Sequence, residues 1–441
     1  MTPDDLRSRL ARLGYQPGPT SGRPPESRPS EPSGNVPRRV ASDGRFGFLK
    51  AGRSPYTIDR VVPGDYLSTP YGNCFVVEHH HPAGHPHGVY RLDEALEADP
   101  QVFSWMGKGL DLAGFDLASS VFLDLETTGL AGGTGTYAFL VGLGYFQGAR
   151  FVVRQFFLED FDAEEALLHA LAESLEPFRG IVTFNGKVFD LPLLETRFLM
   201  ARRPLPLRDL GHLDLLFPSR RLWRDRLESC ALASLEVEIL QVEREVDVPG
   251  WAIPGIYFDY LRKGDARPLA PIFEHNRYDL LSLATLATRL ARQYADPLRP
   301  EFEDCRDLCA LGATFDALGL VDRAALCYER AVALAPPGEV RGRVMLRLGS
   351  LYKRLRMRQD AVDIWRGLAA AGHGFSLVAC VELAKHFEHV ARDYREAERV
   401  TLRALSALEL RAARGDPWGV ERERRALEHR LARLRRKMGG G

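Results

Sequence analysis

The stretch that most constrains this chain is Val121-Phe-Leu-Asp-Leu-Glu-Thr-Thr-Gly-Leu130. Its apolar opening reads as a buried strand. Asp124 and Glu126 stand two apart, and side chains two apart on a strand face the same way. Burying two carboxylates side by side is costly unless a positive charge sits with them. Such a strand either ends in solvent or holds a cation. The acids run into Gly129-Leu-Ala-Gly-Gly-Thr-Gly135. The phosphate-loop pattern fails there, because Ala138 stands where its last glycine belongs and a strand rather than a helix follows. We read the segment as a wide turn whose bare backbone a ligand can approach.

Periodicity around this strand is mixed α/β. Segments 137–146 and 151–158 read as strands joined in a hairpin through Gln147-Gly-Ala149. A helix over 163–176 carries Asp162, Glu164 and Glu165 near its start, where the helix dipole favours acids. A strand at 180–184, a helix at 192–201 and a strand at 212–216 follow. Short strands are expected at 56–59, 74–78 and 88–91. Between the last two lies His79-His-His-Pro-Ala-Gly-His-Pro-His87. Its spacing is irregular and no cysteine accompanies it, so a solvent loop is favoured over a transition-metal site or a loop reaching the active centre.

Four regions result: a disordered Pro-rich segment over 1–45, a small β-containing region over 46–118, the α/β domain over 119–298 and a helical region over 303–441. Leu6, Leu10 and Leu13 share one helical face, so a short docking helix within 1–45 is an alternative. In the helical region Leu311-Gly312, Phe315, Ala324, Tyr328, Ala331 and Pro336 are followed at a matching interval by Leu348-Gly349, Tyr352, Ala361 and Trp365. Ala397 and Ala404 mark a degenerate third copy. This spacing reads as tetratricopeptide-like repeats, whose stacked helices offer a concave surface for a protein partner. The segment 411–437 is basic at helical spacing, which fits a solvated capping helix or a nucleic-acid contact.

Lys+Arg and Asp+Glu both number 59, so no global basic field marks a nucleic-acid partner and local patches must supply any such contact. The six cysteines form no zinc pattern. No run is long and apolar enough for a membrane span or a signal peptide. The expectation is a cytoplasmic chain with no membrane partner.

Three further stretches carry acids. In Val182-Thr-Phe-Asn-Gly-Lys-Val-Phe-Asp190 a strand leaves through Asn185-Gly186 and Asp190 begins a helix, where an acid can also be a simple cap. His212-Leu-Asp214 ends another strand. In Glu274-His-Asn-Arg-Tyr-Asp279, His275 and Asp279 lie one turn apart on a helix.

Together these residues resemble the DEDD family of 3′–5′ exonucleases on the ribonuclease-H-like fold. Asp124-Leu-Glu126-Thr127-Thr128-Gly129 matches the first motif, Asn185 to Asp190 the second and Asp279 the third. The text from Thr127 to Gly142 and Leu227-Glu-Ser-Cys-Ala-Leu232 resembles the bacterial YprB-like branch, often joined to tetratricopeptide repeats. The resemblance implies an α/β ribonuclease-H-like domain, a mixed five-stranded sheet with flanking helices, followed by an all-α repeat domain. It implies two divalent cations, Mg²⁺ or Mn²⁺, because phosphodiester hydrolysis needs an activated water and charge stabilisation, and these hard ions prefer oxygen ligands. Asp124 would bridge both ions, Glu126 and Asp279 would complete one site, and Asp190 would serve the other. His275 would be the general base. The chain departs from the family pattern here, since His275 stands four residues before Asp279, the place usually given to tyrosine.

Substrate contacts are expected from Thr127, Thr128, Gly129, Asn185, Lys187, Phe189, Arg220 and Arg221, with Trp223 as a further base-stacking candidate and Arg197 and Arg203 as further cations. The implied function is a two-metal nuclease, a 3′–5′ exonuclease on single-stranded DNA or RNA ends. A non-catalytic adaptor working through the repeats, or an endonuclease on structured nucleic acid, is the alternative.

Overall fold

A computed structural model describes residues 54–107, 112–129, 134–207, 210–244, 248–371, 375–413 and 419–439. The expectations for 1–45 and for Leu130 to Gly133 lie outside the described residues.

The first strands are β1 (Asp65–Thr69) and β2 (Gly72–His81), then a two-stranded ribbon of β3 (Pro86–His87) and β4 (Tyr90–Arg91). Helix α1 (Pro100–Gly107) leads to β5 (Ser120–Thr127), β6 (Ala138–Gln147) and β7 (Arg150–Phe157). Then come α2 (Glu164–Leu175), β8 (Gly180–Thr183), α3 (Asp190–Met200), β9 (Gly211–Asp214), α4 (Leu216–Trp223), α5 (Ile253–Lys263) and the long α6 (Ala270–Ala295).

The sheet has seven strands in the order β1-β2-β7-β6-β5-β8-β9. Only the β5–β8 and β8–β9 pairs are parallel. The five expected strands form one continuous part of it. The correction is at the edge, where β2 pairs with β7 from Phe75↔Phe157 to His81↔Phe151 and brings β1 with it. Strands β1 and β2, which fall in the region expected over 46–118, are therefore part of the same sheet. Two local expectations also change. Ile58–Val61 is a single helical turn rather than a strand. His79 to His81 lie on β2, and His81 and His87 are buried, so the histidine segment is not a solvent loop. Its alternation of apolar residues stops at Val77, which is why pattern reading ended the strand early.

The parity of β5 divides the core. Val121, Leu123 and Leu125 pack with α2 and α3 residues such as Leu167, Leu171, Leu194 and Phe198. Phe122 points the other way, into a cluster with Val182, Leu213 and the α6 residues Leu280, Leu283, Leu286 and Leu290. Asp124 and Glu126 share the parity of Phe122, so the sheet turns its acids toward α6.

The same cluster continues through Leu308, Leu311 and Phe315 into the helical region. That region comprises α7 (Cys305–Ala317), α8 (Val321–Leu334), α9 (Glu339–Arg354), α10 (Arg358–Ala370), α11 (Ser376–His386), α12 (Tyr394–Ala413) and α13 (Val420–Gly439). The recurrent small residues have a physical cause. A Cβ at Gly312 would stand 2.8 Å from the Tyr328 ring, and one at Gly349 would stand 2.7 Å from Trp365 Nε1. Each glycine lets one helix of a pair seat the aromatic ring of the next. At the end of the array the buried Glu388 receives Arg430 at 2.5 Å, Arg433 at 2.7 Å and Lys437 at 3.1 Å. Three cations of the basic C-terminal segment are thus used to fix α13, and Arg433 foremost holds Glu388 down to about 2. No described helix is long and apolar enough to cross a membrane.

Candidate active site

The site grows from a row across three strands. Asp124 on β5 pairs with Gly142 on β6, which pairs with Gln155 on β7. All three residues lie beneath α6. A Cβ at Gly142 would stand 2.2 Å from Asn276 Oδ1, so only glycine lets α6 descend this far. Asn276 is fully buried and donates from Nδ2 to Asp124 Oδ2 at 2.7 Å and to the Asp124 carbonyl at 3.2 Å. Gln155 donates from Nε2 to Asn276 Oδ1 at 2.8 Å and to the Phe273 carbonyl at 2.8 Å. The Asp124 carboxylate is therefore held by an amide that a second amide orients.

Two residues on, Glu126 is buried at the β-bulge where the β5–β6 register shifts. Across from it α6 presents His275 and Asp279 on one face. His275 Nε2 is 3.7 Å from Glu126 Oε1 and 3.6 Å from Asp279 Oδ2. Glu126, His275 and Asp279 each offer a ligand atom, all within 4.8 Å of one another.

Asp190 arrives on a different element. The backbone turns at Asn185, whose φ of 67° is left-handed. Asp214, on the neighbouring strand, holds that turn. It accepts from Asn185 N at 2.7 Å, Lys187 N at 3.1 Å and Leu216 N at 3.1 Å. Val188 N and Phe189 N then bond back to the Asn185 carbonyl, and α3 starts at Asp190. This is the work of Asn185 and Asp214: they aim Asp190 toward β5.

The electrostatics follow from crowding. Burial raises Asp124 well above the ordinary carboxylate range, and Asp279, Glu126 and Asp190 raise it further, against the Asn276 hydrogen bond. Burial, then Asp214 and Asp279, lift Asp190 to about 7. Carboxylates that repel one another in this way ask for a counter-cation. Their hard oxygen donors fit Mg²⁺ or Mn²⁺.

One cation of the chain is already present beside them. Arg244 donates to Asp279 Oδ1, reaches Glu236 at 2.9 and 2.5 Å, and places Nη1 3.1 Å from His275 Nδ1. Glu236 begins a π-helical turn, Glu236–Leu240, and also accepts from Ser282 Oγ at 2.5 Å. Ser282 is in turn bonded to His87 Nε2 at 2.8 Å. Burial first, and then Arg244, holds His87 down to about 3, so its ring is neutral. The histidine segment thus reaches the site from behind, as structure rather than as ligand.

The sequence-derived contacts separate. Thr127, Thr128 and Gly129 line the exit of β5, with Thr127 Oγ1 bonded to the Gly129 carbonyl at 3.0 Å and Thr128 N to the Tyr137 carbonyl at 2.9 Å. A Cβ at Gly129 would meet none of the described residues within 4 Å. Phe189 is 52% exposed beside Asp190. Lys187 is half-buried, and burial lowers its ammonium while Asp214 opposes the shift. Arg220 is exposed, whereas Arg221 donates to the Met106 carbonyl and to the Phe217 carbonyl at 3.3 Å. Trp223 is fully buried and packs in the core under Arg289, so it cannot stack a base. Arg197 is buried against Glu164 at 2.5 Å, and Arg203 lies 3.1 Å from His169, which removes Arg197 from any phosphate path. Sequence reading missed Gly142, Gln155, Glu236, Arg244, Asn276 and Ser282. Gln155 left a visible signal, a polar residue inside an apolar strand.

Residues 121–291 match the RNase_H superfamily. The chain is also 31% identical over 370 residues to "Uncharacterized protein YprB" of Bacillus subtilis (strain 168), covering 82% of this chain and 86% of that protein. The RNase_H match runs from β5 to α6 and includes Asp124, Glu126, Asp190 and Asp279. Residues 121–291 form a domain of the RNase_H superfamily, the chain belongs to the family of YprB, and its general chemical class is that of a nucleic-acid hydrolase.

Proposed function

We propose that this protein is a metal-dependent nuclease acting as a 3′–5′ exonuclease on single-stranded ends. The observation that carries the reading is the gathering of Asp124, Glu126, Asp190 and Asp279, from three separate elements, into one mutually repelling group. Arg244 and Glu236 offset each other's charge. The charge of Asp124, Glu126, Asp190 and Asp279 would be matched by two divalent ions.

Asp124, Glu126, Asp190 and Asp279 would hold the two ions between them. Such ions would supply an activated water, charge stabilisation at phosphorus and assistance to the leaving oxygen. The chain's own residues prepare that chemistry. Asn276 and Gln155 fix the Asp124 carboxylate, and Asp214 sets the approach of Asp190. The open turn at Thr127 to Gly129 gives the strand end a path past the acids. Phe189 offers a face for the terminal base, and Lys187 and Arg220 offer charge to the backbone. The helical array, with its tetratricopeptide-like spacing, would recruit a protein partner or guide the strand.

The test is digestion of 5′-labelled single- and double-stranded DNA and RNA with Mg²⁺ or Mn²⁺. A 3′-shortened ladder on single strands is expected, abolished in Asp124→Asn. Equal cleavage by Asp124→Asn would sink the reading. Cleavage of circular or 3′-blocked strands would convert it to an endonuclease.

A further inference from the structure

Among the described residues, each ring nitrogen of His275 faces groups of known hydrogen-bonding character. Nδ1 lies 3.1 Å from Arg244 Nη1, and a guanidinium carries only donors. Nδ1 must therefore accept. A neutral imidazole has a single ring proton, which this leaves on Nε2. Nε2 is the atom that faces Glu126 Oε1 and Asp279 Oδ2. We propose that Arg244 is a positioning residue that holds His275 as its Nε2–H tautomer, so that His275 gives no lone pair to a metal and the centre is reserved for hard, oxygen-bound divalent cations.

The arginine is itself placed with care. Two of its nitrogens grip Glu236, which is 2% exposed. Ser282 spends its only hydroxyl proton on Glu236, so His87 must donate to Ser282. The π turn that carries Glu236 is pinned by Val89 N to the Leu240 carbonyl at 2.9 Å, and a Cβ at Gly88 would come within 2.0 Å of that oxygen. The β3–β4 ribbon therefore braces the turn that braces the arginine. π turns of this kind recur at functional sites.

Two consequences follow for the centre. The trio Glu126, His275 and Asp279 resembles a mixed nitrogen and oxygen set suited to zinc, but an Nε2–H cannot coordinate. The same N–H is a donor aimed at whatever anionic oxygen enters the cluster. His275 then binds and orients a phosphate oxygen and does not take a proton from water, which replaces the general-base role that its sequence position suggests. Asp279 is also oriented, with Oδ1 on Arg244 and Oδ2 on the His275 side.

The inference uses the metal-centre reading for its consequence, while the tautomer stands on geometry alone. The first test is the imidazole ¹⁵N–¹H spectrum of the metal-free wild-type protein, with His275 assigned by comparison with His275→Phe. A proton on Nε2 is expected, and one on Nδ1 overturns the proposal. The second is calorimetric titration of Zn²⁺ and Mn²⁺ into wild type and the double variant Arg244→Met, Glu236→Gln, which removes the arginine together with its buried Glu236 partner so that the net charge is unchanged. Freeing His275 should raise Zn²⁺ affinity by about tenfold or more, with the gain lost when His275→Phe is added. Unchanged Zn²⁺ affinity overturns the specificity role. Wild type that fails to bind Mn²⁺ would sink the metal-centre reading instead, and the spectrum would still decide the tautomer.

Discussion

Asp190 is expected to destabilise the protein that carries it when no metal is bound. Its carboxyl is lifted from 3.8 to about 7, chiefly by burial and then by Asp214 and Asp279. The folded state thus holds a proton that the unfolded chain releases at lower pH. The sign is fixed by that order: stability is greatest below the unfolded value and is lost as pH rises from about 4 to about 7. The full shift corresponds to at most about 4 kcal/mol at high pH, using 1.36 kcal/mol for each tenfold change in proton affinity. Asp190 retains some exposure, and screening trims the effect to about 2 kcal/mol. Asp190→Asn removes the charge and keeps the shape. In chelator, its melting temperature should exceed that of wild type by several degrees at about pH 8, with the gap narrowing toward about pH 5. Adding Mn²⁺ should raise wild type and leave the variant far less affected. A variant less stable than wild type at the higher pH, or a gap that widens toward the lower one, would refute the account of the cluster as repelling acids awaiting a cation.

Two further substitutions probe the scaffold by thermal or denaturant unfolding. Gly142→Ala places a methyl group 2.2 Å from Asn276 Oδ1 and 2.8 Å from Leu280 Cδ1, and the amide cannot retreat because Gln155 and Asp124 hold it. A loss of about 2–4 kcal/mol is expected, with a larger fall in Mn²⁺ affinity than remote substitutions of equal cost would give. Gly312→Ala and Gly349→Ala push the same kind of contact, 2.8 Å from Tyr328 and 2.7 Å from Trp365. If the helix pairs are true repeats, the two should cost similar amounts, about 1–3 kcal/mol each. A neutral result at one alone would break the equivalence.

How much of this was legible in the sequence depends on the range of the interaction that sets each feature. Strand β5 announced itself because an apolar run and an alternating acid pair are local signals. The β6–β7 hairpin and helix α2 were readable for the same reason. Strand β2 was cut short because His79 to His81 break the apolar pattern, although β7 supplies their backbone partners. Trp223 looked available to a base because a run of arginines surrounds it, whereas the fold places it in the core beneath Arg289. The acids Asp124, Glu126, Asp190 and Asp279 were readable as residue types at motif spacing. Their mutual repulsion was not, since it arises only when three elements meet.

The least legible part is also what lets the site exist. Four clustered carboxylates push the sheet and α6 apart, yet α6 sits closer to β6 at Gly142 than any other residue type would permit. The amide row from Gln155 through Asn276 to Asp124 supplies directed bonds at the point of greatest like-charge crowding. On the far side Arg244, whose charge Glu236 balances, orients Asp279 and is itself held by Glu236, Ser282 and the β3–β4 ribbon. The amide row joins residues 121 and 152 apart in sequence and His87 and Ser282 are 195 apart, while Arg244 reaches Asp279 across 35. No periodicity reports such a pairing, because each partner alone is an ordinary polar residue on an ordinary element. The fold is therefore specified by local apolar pattern, and the centre by distant polar pairs that the pattern only brings within reach.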